Sequence, residues 1–230
     1  ANIVIEYTAT TDAVIVLNGA DRVIIDGEFN AGERNLTIRN NAVSGTNAAI
    51  WLKSLGTGLG CNNVTIKNTN IFGANAPQSV TTTMGIYAGG TTVSTSGTGA
   101  DNDNLTIQNN HIRRATYGIF ARGVASTGLL DNLLITGNTI GSDIETDYIF
   151  YIGTDVQNAV APIITRNYIF NIKRNTNSIN IAGIEVGQNC ANAQITRNRI
   201  HSLQQAYTGG YGAFGINVSS ATGNSNFLIA

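Results

Sequence analysis

Lysine is nearly missing from this 230-residue chain. Lys53, Lys67 and Lys173 are the only three, the charged fraction is 12%, and the formal net charge is −1. Clustered cations are needed to hold a phosphate backbone or an anionic lipid surface, so nucleic acid is not expected among its partners. Proline is down to two residues and methionine to one, and there are two cysteines and two histidines. No run approaches the roughly 18 apolar residues of a membrane span, so none is expected. Also absent are a glycine-rich phosphate loop, a GxSxG elbow and an HExxH pair, which leaves nucleotide-binding, α/β-hydrolase and zincin readings without a motif. The chain opens directly into the alternation Ile3-Val4-Ile5 and closes on Asn226 to Ala230 in mid-strand. It is therefore expected to be one domain over 1–230 and a piece of something longer, with any targeting signal absent or already removed.

What is present is a repeat. Hydrophobic residues make up 42% of the chain, enough for a continuous core, and 30 Asn and 26 Gly accompany many Thr and Ile. One motif, Ile, two variable residues, Asn, one variable residue, then Ile or Val, recurs from the anchors Ile38, Ile66, Ile107, Ile135, Ile164 and Ile195. The anchors lie 28, 41, 28, 29 and 31 residues apart, and Ile229 would start another copy. A second motif interleaves with it: Ala49-Ile50-Trp51-Leu52, Gly85-Ile86-Tyr87-Ala88, Gly118-Ile119-Phe120-Ala121, Ile149-Phe150-Tyr151, Gly183-Ile184-Glu185-Val186 and Gly215-Ile216-Asn217-Val218, with Ala13 to Leu17 as founding copy. Both alternate with period two, the strand signature, and no helical stripe of comparable length lies between them.

Short strands that each leave one face apolar bury it only by stacking copy on copy. The expected fold is an all-β parallel β-helix of about seven coils with two or three strands each. At about 4.8 Å per coil it would be a rod about 35 Å long. A propeller would need four hairpin-linked strands per copy. Asn41, Asn110, Asn138, Asn167 and Asn198 share one slot and are expected to stack as an asparagine ladder, which Thr69 interrupts. Val23 and Ile25 form an apolar pair that the repeat does not place. The insertions at 73–83 and 89–104 should project from one edge.

With these features the chain resembles the right-handed parallel β-helix proteins of the pectate-lyase-like superfamily. The runs Val14 to Gly27, Ile50 to Gly60 and Asp103 to Gln108 are similar to large bacterial surface proteins exported by a type 9 secretion system. That resemblance implies a right-handed coil, a secreted or cell-surface location and adhesive or carbohydrate-binding roles. The matching residues are core and turn positions, so it implies little about activity.

Four positions are candidates for ligand binding. The residue after the inward Ile of the second motif points outward, which lines up Trp51, Tyr87, Phe120 and Phe150 as an aromatic column suited to sugar rings or a surface protein. The competing reading is that a long loop packs over the column. A second strip flanks the closing Ile of the first motif and carries His111, Arg113, Arg199 and His201, the candidates for a catalytic role. Histidine beside arginine can serve as base and charge neutraliser in uronate elimination. The two pairs lie three coils apart, about 14 Å, and cannot form one constellation.

Cys61 and Cys190 each lie five residues before an anchor, hence in one turn column four coils apart. At about 19 Å they are beyond the roughly 7 Å that a disulfide spans, so two free thiols are expected. No metal is expected from cysteine and histidine. Calcium at Asp101/Asp103 or at Asp143, Glu145 and Asp147 is the one cofactor the sequence admits, although Asp and Asn in turns serve the backbone first. The first reading is a structural and adhesive stalk without catalysis, and the alternative is a polysaccharide lyase or hydrolase. Open terminal coils would add end-to-end self-association.

Overall fold

The computed structural model describes residues 2–74, 81–175, 179–219 and 222–230. The chain winds into a parallel β-solenoid of about seven coils, and each coil gives one short strand to each of three ladders. In the fourth coil these strands are His111–Arg113, Ala115–Arg122 and Leu134–Thr136. A short fourth ladder, Leu130–Asp131, Ala159–Val160 and Cys190–Ala191, fills a corner.

Each ladder stacks one interior column. The first aligns Ile5, Ile38, Ile71, Ile112, Ile140, Ile169 and Ile200. The second aligns Ile15, Ile50, Ile86, Ile119, Thr154, Ile184 and Ile216. The third aligns Ile25, Ile66, Ile107, Ile135, Ile164, Ile195 and Ile229. In the second to sixth coils these residues are at most 1% exposed. Each such isoleucine contributes roughly 1.5–3 kcal/mol of burial, and β-branching suits it to the stacked pleat.

These registers correct the reading of the first coil. Ile38 is not an anchor, because it pairs with Ile71 in the first ladder, and the first anchor is Ile25, paired with Ile66. The unplaced Val23/Ile25 segment is thus the founding copy. Thirteen residues separate Ile25 from Ile38 where five separate Ile66 from Ile71, and this longer connection puts the local pattern out of phase. Ile229 does pair with Ile195, as expected.

The corners explain the asparagine content. Before every third-ladder strand stands a residue with φ between 52° and 57°: Arg22, Asn63, Asn104, Asn132, Ala161, Asn192 and Asn226. Ten of the eighteen non-glycine residues with positive φ among those described are Asn, whose short polar side chain tolerates the left-handed region. Beyond the third ladder runs the asparagine ladder, made of Asn110, Asn138, Asn167 and Asn198. The Asn138 Oδ1 accepts the Asn110 N–H at 2.9 Å, and its Nδ2 donates to the Ile107 carbonyl at 2.9 Å and to Asn167 Oδ1 at 3.0 Å. The same pattern continues to Asn167 and Asn198. Thr69 ends the ladder rather than interrupting it, giving both its N–H (3.1 Å) and its hydroxyl (2.7 Å) to Asn110 Oδ1. Asn41 is not a member, since the register opposes Leu36 to Thr69. Its neighbour Asn40 is buried instead and binds Ala9 and Asn47.

Where the second ladder presses on the first, glycine repeats: Gly85, Gly118, Gly153 and Gly183. A Cβ on any of these would meet the carbonyl oxygen of the next coil's glycine at 2.5–2.7 Å. The column is a packing requirement rather than a turn signal.

Replacing Asn138 by Ala strands the Asn110 amide, the Ile107 carbonyl and one face of Asn167, each at a cost of roughly 1–3 kcal/mol. Asn138→Ala is expected to lower stability by at least about 2 kcal/mol in urea unfolding followed by circular dichroism. Asn198→Ala, at the half-buried end of the ladder, should cost visibly less.

Candidate functional site

The aromatic column forms, but it is enclosed. Trp51, Tyr87 and Phe120 stack across adjacent coils with ring centroids 6.2 and 5.3 Å apart. They are 4%, 0% and 0% exposed. The segment 90–99 lies over them as a strap. Trp51 Nε1 donates to the Gly90 carbonyl at 3.1 Å, the Tyr87 hydroxyl to the Thr92 carbonyl at 3.0 Å, and Arg122 Nη1 to the Thr95 carbonyl at 3.0 Å. Val93 inserts its side chain into the same cluster, with Met84, Tyr117 and Ile152. Of the two readings of this column, open to a ligand or covered by a long loop, the covered one holds for Trp51, Tyr87 and Phe120.

Phe150 lies outside the column. Asp155 pairs with Phe120, so the fifth coil's copy is Gly153-Thr154-Asp155-Val156 and not Ile149-Phe150-Tyr151. Phe150 is itself buried, and Arg174 donates to its carbonyl at 3.4 Å. Asp155 is fully buried and receives Arg122 Nη2 at 2.7 Å and Nε at 3.3 Å. Burial pushes the Asp155 carboxyl up from its ordinary range, and the Arg122 guanidinium opposes that push. Arg122 thus joins the strap, the Phe120 ring at 4.3 Å and the buried carboxylate.

Among the described residues no segment lies over the face of the first ladder, and it holds all four histidine and arginine candidates in two groups. In the first group three guanidiniums surround the Phe72 ring: Arg113 at 4.2 Å, Arg39 at 4.9 Å and Arg114 at 5.2 Å from its centroid. The Nε atoms of Arg39 and Arg113 are buried and make no hydrogen bond. Arg114 donates to the Gly73 and Asn40 carbonyls, and Arg34 grips Asn109 at 2.6 and 2.7 Å. His111 Nε2 lies 3.0 Å from the Gly141 carbonyl, so this nitrogen carries the proton. Burial first, and Arg113 second, hold its pKa below the ordinary value, which leaves a neutral ring at pH 7.

The second group stacks Tyr168 on Phe170 at 4.7 Å and His201 on Phe170 at 5.7 Å. The Tyr168 hydroxyl meets His201 Nε2 at 2.8 Å, and Arg199 lies 5.2 Å from the Tyr168 ring. The first-ladder register puts His111 opposite Thr139, Thr139 opposite Tyr168, and Tyr168 opposite Arg199. The two His/Arg pairs are therefore three coils apart and do not converge. Farther along the Tyr168–Arg174 strand, a cleft of about 250 Å³ is lined by Glu145, Tyr148, Lys173, Arg174 and Gln204. The sequence reading missed Arg34, Arg39, Arg114 and Phe72 as one group. They come from three coils, and no local pattern links them.

Two of the acidic turn residues serve backbone amides, Asp101 accepting from Gly58 N–H at 2.5 Å and Asp103 from Asp131 N–H at 2.8 Å, while Asp143 accepts from the Asn171 side chain at 3.2 Å. Among the described residues, no three His, Cys, Asp or Glu side chains gather where they could hold a metal ion. No described helix is long and apolar enough to cross a membrane. Cys61 and Cys190 are free and buried, four coils apart in one corner column, as their spacing implied. Burial pushes both thiols up, Cys190 to about 11. The chain matches no family model, no curated protein and no solved structure.

Two outcomes follow from these contacts. Removing the guanidinium leaves Asp155 buried without its partner, and breaking such pairs costs roughly 3–5 kcal/mol. Arg122→Ala should reach that range and should also free the strap, so that a protease with exposed-loop preference cuts near 90–99 while the wild type resists. The thiolate is the reactive form, and a raised pKa keeps it scarce at neutral pH. Both cysteines should therefore resist a disulfide reagent in native buffer and react fully in guanidinium; fast native labelling of either would contradict the enclosed corner.

Proposed function

We propose that the chain is a module of a secreted or cell-surface protein of the pectate-lyase-like β-helix kind, a rigid structural and adhesive stalk that binds an acidic glycan along its open first face. The observation that carries this is the guanidinium cluster about Phe72, with two buried Nε donors still unused. Guanidinium forks match carboxylate or sulfate oxygens, and an aromatic ring between them supports the apolar face of a sugar. Tyr168 and Arg199 repeat the same chemistry three coils on, so an extended chain would be held at two points along the rod. The enclosed Trp51, Tyr87 and Phe120 column acts as a second core in this reading and stiffens the stalk.

A second reading rests on His111. A neutral imidazole beside Arg113 is the pairing a polysaccharide lyase would use, the ring taking the proton alpha to a uronate carboxylate that the guanidinium neutralises. Against it, the other His/Arg pair is too far away to assist.

The test is a screen of the purified chain against neutral, uronate and sulfated glycans, with ultraviolet absorbance followed on the uronates. Binding is expected to the acidic polymers alone and to weaken with salt. Arg39→Gln/Arg113→Gln should lower affinity by roughly tenfold or more, since a hydrogen bond to a charged group contributes about 1.5–3 kcal/mol. Absence of binding, or binding indifferent to this double variant, would sink the adhesive reading. A rising absorbance lost in His111→Ala would establish the lyase.

A further inference from the structure

His201 has two hydrogen-bond partners at once. Ser202 Oγ lies 2.8 Å from its Nδ1, and Tyr168 Oη of the neighbouring coil lies 2.8 Å from its Nε2. The imidazole is also held between rings, stacked on Phe170 at 5.7 Å and 5.2 Å from Tyr168. The register explains the placement: Tyr168 opposes Arg199 and Phe170 opposes His201, so both rings of one coil flank the strand that carries the histidine. All of these contacts run between two adjacent coils on the side of the rod.

Ser202 stands where the chain turns from the first ladder toward the second, a corner with φ of 55° at Arg114, 52° at Asn171 and 56° at Ser202. In the other coils this corner residue spends its polar side chain on the backbone. Arg114 donates to the Gly73 carbonyl and Asn171 to the Ser142 carbonyl. Ser202 is exposed and turns its hydroxyl to the histidine instead. Two residues farther on, the same two strands line the cleft of about 250 Å³ with Lys173 and its register partner Gln204, beside Glu145, Tyr148 and Arg174. Two residues of strand span about 7 Å, so the hydroxyl and the cleft belong to one substrate-sized region.

We infer that Ser202, His201 and Tyr168 form an ester-hydrolysing site whose substrate is a short-chain acyl ester of an acidic sugar. With the ring proton on Nε2, donated to Tyr168 Oη, Nδ1 accepts the Ser202 hydroxyl proton; this is the arrangement of a nucleophile, its base and the group that orients the base. Ser202 Oγ attacks the ester carbonyl carbon while its proton passes to Nδ1. The bond from that carbon to the sugar oxygen then breaks, and the imidazolium gives the proton to the departing sugar hydroxyl. Water, losing a proton to Nδ1, attacks the acyl-serine; the carboxylic acid leaves and the proton returns to Ser202 Oγ. Arg199, two residues before His201 on the same strand face, supplies a guanidinium for the charge developing on the carbonyl oxygen. Tyr168 is a positioning residue that fixes the tautomer. The ester chemistry rests on these side chains alone, whereas the acidic sugar rests on the glycan reading above and on Lys173 and Arg174 in the cleft.

Hydrolysis of p-nitrophenyl acetate by the intact chain, with mass spectrometry after treatment with a fluorophosphonate, tests the site. The wild type is expected to turn the ester over and to carry the phosphonyl group on Ser202. Ser202→Gly keeps the left-handed corner while removing the nucleophile, and His201→Gln removes the base; each should lower kcat/KM by about a hundredfold or more. Tyr168→Phe should lower kcat severalfold and leave KM unchanged, a split that general loosening of the face would not produce. Circular dichroism reports whether each variant folds. An O-acetylated uronate polymer should release acetate, and Lys173→Gln should raise KM on it without changing the rate on the small ester. Absence of hydrolysis, hydrolysis that persists in Ser202→Gly, or a label on another residue overturns the inference even where the acidic glycan binds. Equal acetate release from an acetylated neutral polymer overturns the acidic substrate. Turnover at Ser202 by a chain that binds no acidic glycan upholds the ester chemistry and sinks the adhesive reading.

Discussion

A chain that coils upon itself must turn corners, and each corner takes the backbone out of the strand region while enclosing amides and carbonyls that no ladder pairs. Buried groups of that kind cost roughly 1–3 kcal/mol each when left unbonded. Asparagine answers both demands, tolerating positive φ in the Asn63 to Asn226 corner column and lending its amide to the Asn110 to Asn198 ladder. Because each ladder amide binds its own coil's neighbours above and below, it also fixes the register. A slip by one residue would move the isoleucines outward and the amides off their carbonyls together. The core columns and the corners are therefore one constraint, and the glycine column at Gly85 to Gly183 is its steric consequence where two ladders meet.

That coupling decided what could be read. From Ile107 to Ile195 the coils are nearly equal in length, and the period, the strand faces of the first and third ladders and the asparagine ladder were legible, as was the shared column of Cys61 and Cys190. The first coil was misread because residues 27–35 lengthen one connection, and Ile38, Asn41 and Val43 happen to imitate the motif one ladder away. The fifth coil was misread for a different reason: Thr154 and Asp155 replace the inward isoleucine and the outward aromatic, so Phe150 seemed the better match. Both errors are errors of phase, in which a local pattern competes with a pairing that only the neighbouring coil determines. Enclosure of Trp51, Tyr87 and Phe120 was weighed but not decided, since the strap consists of glycine, threonine and serine apart from Val93.

The strap also explains why the outward column of the second ladder changes character along the rod. It is Trp51, Tyr87 and Phe120 where residues 90–99 lie over it, then Asp155, Glu185 and Asn217 beyond. An aromatic without cover would present an apolar patch to solvent, whereas Asp155 just beyond the strap is itself buried and relies on Arg122 in place of water. Arg122 stands at the boundary and belongs to both regimes, with its guanidinium against Phe120, the strap carbonyl and Asp155.

Among the described residues the first ladder's face has no such cover, and its rings are managed by cations instead. Phe72 is flanked by arginines and Tyr168 by Arg199, so each apolar surface is paired with a charge that keeps it wetted. A covered stripe contributes rigidity and cannot meet a ligand without opening. An uncovered stripe edged with guanidinium groups stays soluble and remains available to an anion. The division between the two faces follows from one local difference, an insertion on one edge of the third coil, and it turns a uniform solenoid into an object with a closed side and an open one.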